Sequence, residues 1–328
     1  MKKFKLYCLL FLIFCKFKNK LLRWFVFKPI NLTYRFREYD QQNSIQLEFS
    51  VQSEQFSINF VKPRSISLED KLLSNKQSLR KIPYPKHSSY FIQLIQNVNK
   101  EWPSNLEIEG QYLEGNKGRL AIVMIKPLNY ETNMVLIHSH SNHLDIGCCM
   151  EEYIDFCNNL KVMVIGYDYP GYGLSEGDTS QDSIFNAIDC VYHFALSLGF
   201  QNYQIILYGQ SLGTSPSLYL ASQVQIGGVI LKSSFKSILN IVSDHNEFYK
   251  DDIFRNYELI EQVECPLLIV HGQLDDMVNI GQVREMSKKA NNLIEFYVIK
   301  DGHHNDFGSH LQEFYEKIQN FINILQTL

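Results

Sequence analysis

Three residues of this chain have the types and the order that turn a serine into a nucleophile. Ser211 lies in Gly209-Gln210-Ser211-Leu212-Gly213, a G-x-S-x-G pattern. The apolar run Ile205-Ile206-Leu207 precedes it and a helical stretch, Thr214 to Ser222, follows, so the five residues read as a sharp turn from strand to helix. Such a turn brings its flanks close together, which calls for glycine, and pushes the hydroxyl outward to where a base can reach it. A serine hydroxyl is a poor nucleophile at neutral pH until an imidazole takes its proton, and the imidazole needs a carboxylate to fix its tautomer. Downstream, the apolar run Leu267–Val270 ends in His271-Gly272-Gln273-Leu274-Asp275-Asp276, which places Asp275 just past a strand. Asp276 is its neighbouring competitor, and capping of a helix near Ile280 is its alternative role. The run Phe296–Ile299 leads into Lys300-Asp301-Gly302-His303-His304-Asn305-Asp306, two adjacent histidines in a loop before a C-terminal helix. A lone G-x-S-x-G is a weak pattern. The order serine, carboxylate, histidine, with each group just past a strand, makes it a specific one.

Acyl transfer also builds an oxyanion, which two backbone N–H groups must meet. Leu212 supplies one by position. The other belongs to the loop after Met134–Ile137, His138-Ser139-His140-Ser141-Asn142, at Asn142. Ser141 stands where such loops usually carry glycine. The turn-forming stretch Asp168 to Ser175 is expected to shape the wall of the site, and His138, His140, His143 and His271 to support loops. No H-E-x-x-H, no carboxylate cluster and no G-x-G-x-x-G after a strand is present, so neither a metal nor a cofactor is expected.

Elements able to position these groups recur from about residue 105. Strand-length apolar runs (Ala121–Ile125, Met134–Ile137, Val162–Tyr167, Ile205–Tyr208, Val229–Leu231, Leu267–Val270, Phe296–Ile299) alternate with the amphipathic stretches Ile184–Leu198, Thr214–Ser222, Ile280–Ala290 and His310–Leu325. This alternation predicts an α/β fold, a mostly parallel sheet with helices on both faces, whose functional residues lie beyond the carboxyl ends of the strands. Residues 106–125 read as an antiparallel edge hairpin turning at Gly115-Asn116-Lys117-Gly118. The stretch between Ser211 and Asp275 is too short to hold a large lid domain, which implies an open site.

The 328 residues, 45% of them hydrophobic, accommodate one large α/β domain plus an N-terminal extension. We divide them into a basic apolar membrane-anchoring segment (1–30), an extension of strands and connector (31–104) and a catalytic domain (105–328). The net charge of -4 gives no reason to expect nucleic acid. It hides a basic head on an acidic body: residues 1–28 carry Lys or Arg at eight positions and no acid. Leu6 to Cys15 is apolar but too short to span a bilayer, since a spanning helix needs about 20 residues. An interfacial anchor on an anionic lipid surface fits best. A secretory signal lacks a small-residue cleavage site here, and Arg23 weighs against a tilted signal anchor. Cys8 and Cys15, beside that segment, are candidate S-acylation sites. The remaining cysteines, Cys148, Cys149, Cys157, Cys190 and Cys265, read as small core residues in a reducing compartment. In residues 40–100 the alternation at 45–51 and 56–60 suggests a hairpin, and Lys62 to Lys100 reads as a polar connector with one or two short helices.

The blocks SHSNHLDIG, YDYPGYGLSEG, ILYGQSLGTSP, VHGQLDD and GHHNDF, in this order, resemble the α/β-hydrolase superfamily. Within it they are most similar to the α/β-hydrolase-domain-17 family of membrane-bound protein depalmitoylases. The resemblance covers residues 105–325, and the head followed by Phe27-Lys28-Pro29 is similar to that family's acylated N-terminus. Alignment on His-Asn-Asp makes His304 the base and puts His303 where the family has glycine, as Ser141 does in the oxyanion loop. The resemblance implies an α/β-hydrolase fold and a membrane-associated enzyme on the cytoplasmic face. Its reaction would be thioester hydrolysis of S-acylated protein substrates through a Ser211 acyl-enzyme, with Asp275 and His304 as partners and no cofactor. A serine hydrolase acting on lipid esters, like a monoacylglycerol lipase, or on peptides, like a serine aminopeptidase, is the alternative. A non-catalytic hydrolase-fold binding protein is a third, and a secretory location holds if residues 1–20 act as a signal.

Overall fold

Apolar runs become buried strands where helices cover both faces of the sheet they form. A computed structural model of the chain describes residues 27, 29–30, 32–38, 90–94, 101–115, 118–242, 252–305 and 307–328. Cys8, Cys15, the basic head up to residue 26 and the alternating patterns at 45–51 and 56–60 lie outside the described residues. In chain order the strands are β1 (Tyr34–Glu38), β2 (Tyr90–Leu94), β3 (Leu106–Gly115), β4 (Gly118–Pro127), β5 (Val135–Ser139), β6 (Met163–Tyr167), β7 (Ile205–Gln210), β8 (Gly228–Lys232), β9 (Leu267–Gly272) and β10 (Leu293–Ile299). They form one ten-stranded sheet in the order β1-β2-β3-β4-β6-β5-β7-β8-β9-β10. From β6 to β10 every pair is parallel, and from β1 to the β4–β6 pair every pair is antiparallel. Every residue of β5 to β9 is buried, as expected for parallel strands covered on both sides.

The helices are α1 (Ile146–Leu160), α2 (Gln181–Ser197), α3 (Thr214–Gln223), the short α4 (Ile238–Val242) and α5 (Asn256–Leu259), α6 (Ile280–Ser287) and α7 (Leu311–Leu325). Alternate strand residues serve opposite faces. Val135 and Ile137 of β5, Leu207 of β7 and Ile269 of β9 pack with Ile188 of α2, Leu218 of α3 and Val283 of α6. Leu136, Ile206 and Leu268 pack on the other face with Ile154 of α1 and Phe314 and Phe321 of α7. Phe27 joins the first of these cores, its ring edge-on to Phe254 at 6.0 Å. No helix of the described residues is long and apolar enough to cross a membrane.

Three expectations are corrected, and one strand has no counterpart in the sequence reading. The hairpin β3–β4 forms with Gly115 opposite Gly118, but it is interior, because β2 and β1 extend the sheet beyond it. Tyr90–Leu94 is a strand in what reads as polar connector; five residues of Tyr-Phe-Ile character decide locally against the composition of the segment. Strand β1 escapes notice because it carries three charges in five residues, yet Tyr34 and Phe36 alternate into the core. Cys148 is exposed near the start of α1, whereas Cys149, Cys157 and Cys265 are buried. Strand β5 lies between β6 and β7, so the connections leaving its end diverge and open a crevice there. The loop after β5 and the turn after β7 meet there.

Candidate active site

The turn at Ser211 is forced by close approach. A Cβ on Gly209 would fall on the Gly213 carbonyl, and one on Gly213 would fall on the Ser139 carbonyl of the β5 loop. Neither glycine has a positive φ; Ser211 does, at 51°. A non-glycine residue in this left-handed region costs on the order of 1–3 kcal/mol and persists only where its surroundings hold it. Here the Thr214 hydroxyl donates to the Ser211 carbonyl at 2.6 Å and the Ser217 hydroxyl to that of Gly213 at 2.9 Å.

Ser211, His304 and Asp275 come together. His304 Nε2 lies 2.9 Å from Ser211 Oγ and its Nδ1 lies 2.7 Å from Asp275 Oδ2. A carboxylate only accepts, so Nδ1 carries the proton and Nε2 offers its lone pair to the hydroxyl, the tautomer a general base requires. Asp275 Oδ1 accepts the Met277 and Val278 N–H groups at 2.9 and 2.8 Å. The helix cap belongs instead to Asn279, whose side chain accepts from Gly281 N at 2.7 Å. Burial opposes ionisation of Asp275, but the His304 hydrogen bond, the Val278 N–H and two nearby imidazoles outweigh it and keep the carboxyl below its ordinary range. Asp276 and His303 are exposed, while His304 is buried. The two loops are stitched by backbone: Gln273 N–H donates to the Ile299 carbonyl and Leu274 N–H to that of Gly302, both at 2.8 Å. A Cβ on Gly272 would fall on the Gly302 carbonyl.

His271 belongs to this site as well. Its Nε2 lies 3.0 Å from the Val278 carbonyl, which fixes the proton on Nε2, and 3.2 Å from Asp275 Oδ2. Burial lowers its pKa, so it stays neutral and braces the same carboxylate oxygen that His304 contacts. The sequence marks it only as a loop-supporting histidine, whereas it lies within β9, one residue before its end.

The facing loop carries the expected oxyanion donor, Asn142. Tyr172 Oη donates to Asn142 Oδ1 at 2.6 Å and Tyr169 Oη to the His140 carbonyl at 2.5 Å. His140 Nδ1 donates to the Ser141 carbonyl at 2.8 Å, and burial lowers its pKa to about 3, so the ring is a neutral strut. Ser141 is absent from the left-handed residues, so the backbone here makes no demand for the glycine that was expected. The elbow presses on this loop, since the Cβ missing from Gly213 would also meet the His140 carbonyl. Leu212, the other expected donor, is buried in the turn itself.

Behind the loop is a tie that sequence reading misses. Asp168 is fully buried; its Oδ2 accepts from Tyr34 Oη at 2.5 Å and its Oδ1 from Ile146 N at 2.9 Å. Burial, and then the neighbouring charge of Asp145, push its pKa up to about 8. Asp145 caps α1 through Cys148 N and accepts from both the backbone N–H, at 3.0 Å, and the hydroxyl of Thr33. Residues 33 and 34 thus fasten the base of the oxyanion-side loop. Among the described residues no group of three or more His, Cys, Asp or Glu side chains could hold a metal ion.

No protein-family model matches the chain. Alpha/beta hydrolase domain-containing protein 17C of Xenopus laevis is 32% identical to it over 190 residues, 57% of this chain and 61% of that protein. The Homo sapiens protein of the same name is 31% identical over 190 residues, 57% of each chain. These matches span less than two thirds of the relatives' own length. Among solved structures, the esterase Pf2001 of Pyrococcus furiosus superposes with a TM-score of 0.57 at 16% identity, over 68% of this chain and 96% of that one. Est1E of Butyrivibrio proteoclasticus, with ferulic acid bound, gives 0.55 at 18% identity, over 66% and 99%. The strand order, the elbow after β7 and these superpositions together establish that the chain has the α/β-hydrolase fold, with sequence similarity to the domain-17 hydrolases.

Proposed function

We propose that the chain is a membrane-associated serine hydrolase that cleaves protein thioesters, removing acyl groups from S-acylated cysteine. The observation that carries the hydrolase part is the unbroken hydrogen-bond line from Ser211 Oγ through His304 to Asp275. The thioester part rests on the likeness to the domain-17 hydrolases. Ser211 Oγ attacks the acyl carbon while its proton passes to His304 Nε2, and Asp275 stabilises the imidazolium through Nδ1–H. The backbone N–H groups of Leu212 and Asn142 receive the oxyanion. On collapse the C–S bond breaks and His304 returns the proton to the departing thiolate. Water, deprotonated by the same Nε2, then releases the fatty acid and restores the serine hydroxyl. Residues 1–28 bring the enzyme to an anionic lipid surface on the cytoplasmic face, with Cys8 and Cys15 as S-acylation sites.

Fluorophosphonate labelling is the direct test. Wild type is expected to label and Ser211→Ala not to, with kcat falling by about 10⁴-fold or more in the variant. Equal labelling of the two removes the serine hydrolase reading. Palmitate release from an S-palmitoylated protein, compared with hydrolysis of a monoacylglycerol and of an aminopeptidase substrate, decides the substrate class. The Cys8→Ser/Cys15→Ser variant is expected to move from membrane to cytosol on fractionation; no movement removes the acylation.

A further inference from the structure

Lys232, the last residue of β8, and Ser233, which follows it, have no part in the chemistry above, and both reach the loop that carries His304. Ser233 is fully buried and has φ 53°, left-handed backbone that a serine adopts at a cost. Its N–H donates to the Val270 carbonyl of β9 at 2.9 Å. Its hydroxyl donates to the main-chain carbonyl of His304 at 2.6 Å. A hydrogen bond on that carbonyl fixes the peptide plane from which the imidazole projects.

Lys232 grips the same loop three residues on. Its ammonium lies 4.8 Å from the centre of the Phe307 ring and 5.3 Å from that of Phe314, while the side chain is buried in this aromatic corner. The counter-charge is Glu152 of α1, 3.5 Å away. Glu152 Oε2 lies 3.0 Å from His138 Nε2, and its Oε1 accepts from Tyr208 Oη at 3.2 Å. Burial opposes ionisation of this carboxyl, yet Lys232 and His138 bring its pKa down to about 2, so it is ionised at neutral pH. A buried ion pair is often no more stabilising than apolar residues of the same volume. Its value here is placement: one cation joins α1, which follows the oxyanion loop, to Phe307, which follows the base.

We propose that Lys232 and Ser233 are positioning residues for His304, holding the base loop from two sides so that Nε2 stays within reach of Ser211. The effect on rate rests on the hydrolase reading; the geometry is tested apart from it. Three variants of the full chain serve: Ser233→Ala; Lys232→Met combined with Glu152→Gln, which leaves no unpaired carboxylate; and Lys232→Arg, which keeps the cation. We expect the first two to slow fluorophosphonate labelling and kcat by about 10- to 100-fold with KM within about twofold of wild type. Lys232→Arg is expected to recover most of the rate. In nitrogen-15 NMR of histidine-labelled protein the His304 ring signals are expected to shift or broaden in the first two variants. Labelling at the wild-type rate with unshifted His304 signals overturns the proposal while leaving the hydrolase reading intact. If wild type itself does not label, the hydrolase reading falls and the His304 signals alone decide: unchanged signals overturn the positioning role, shifted signals support it. Should the double variant fail to fold, Ser233→Ala carries the test.

Discussion

The two rims of the crevice are built differently. On the rim that carries Asp275 and His304, the loops after β9 and β10 are joined by backbone hydrogen bonds and by the contact of Gly272 with Gly302. On the oxyanion rim, the loops after β5 and β6 are held by side chains: Tyr169, Tyr172, Asp145 and Asp168, fastened in turn by Thr33 and Tyr34. A backbone-stitched rim has little give, so a change there is felt by Asp275 and His304. A rim tied by buried polar side chains stores its specificity in stability, because each lost tie leaves a buried partner unsatisfied.

The largest effect tests the stitched rim. Gly272→Ala places a methyl on the Gly302 carbonyl and drives the acid and base loops apart. We expect kcat to fall on the order of 100-fold, with a smaller loss of thermal stability; a large loss of stability at unchanged kcat would break the contrast. Tyr34→Phe is the opposite experiment. It removes the donor to Asp168 and is expected to cost about 1–3 kcal/mol in denaturant unfolding, with kcat changed less than by Gly272→Ala.

Asp168 also gives the oxyanion rim a pH signature. A carboxyl whose folded pKa, about 8, lies above its ordinary 3.8 holds its proton more tightly when folded. The stability it contributes is therefore full below the lower value and is lost as pH rises through the higher one. Asp168→Asn is expected to flatten the unfolding midpoint across this window; an unchanged slope would show that the carboxyl is not protonated in the fold. The smallest effect is expected for Ser141→Gly. Because Ser141 is not left-handed, kcat is expected to stay within about twofold.

The same contrast governs what the sequence reveals. Ser211, Asp275 and His304 are legible because each follows a strand with a short apolar run, and strand ends are where an α/β sheet gathers its groups. The glycines that permit the close approach stand beside them in the chain. The tie from Tyr34 to Asp168 spans 134 positions, and that from Thr33 to Asp145 spans 112. No periodicity or short motif encodes such a pairing, and the charged composition of β1 conceals it further. The choice of His304 over His303 needed the family resemblance, since both residues sit in the same loop; geometry separates them by burial and by the two hydrogen bonds of one ring.

The seat of Phe27 has a consequence for reach. Its ring lies against Phe254, and the amide of nearby Asn256 bonds the hydroxyl of Thr214, the first residue of the helix after Ser211. Phe27 is thereby tied, through Phe254 and Asn256, to the helix that begins just after Ser211.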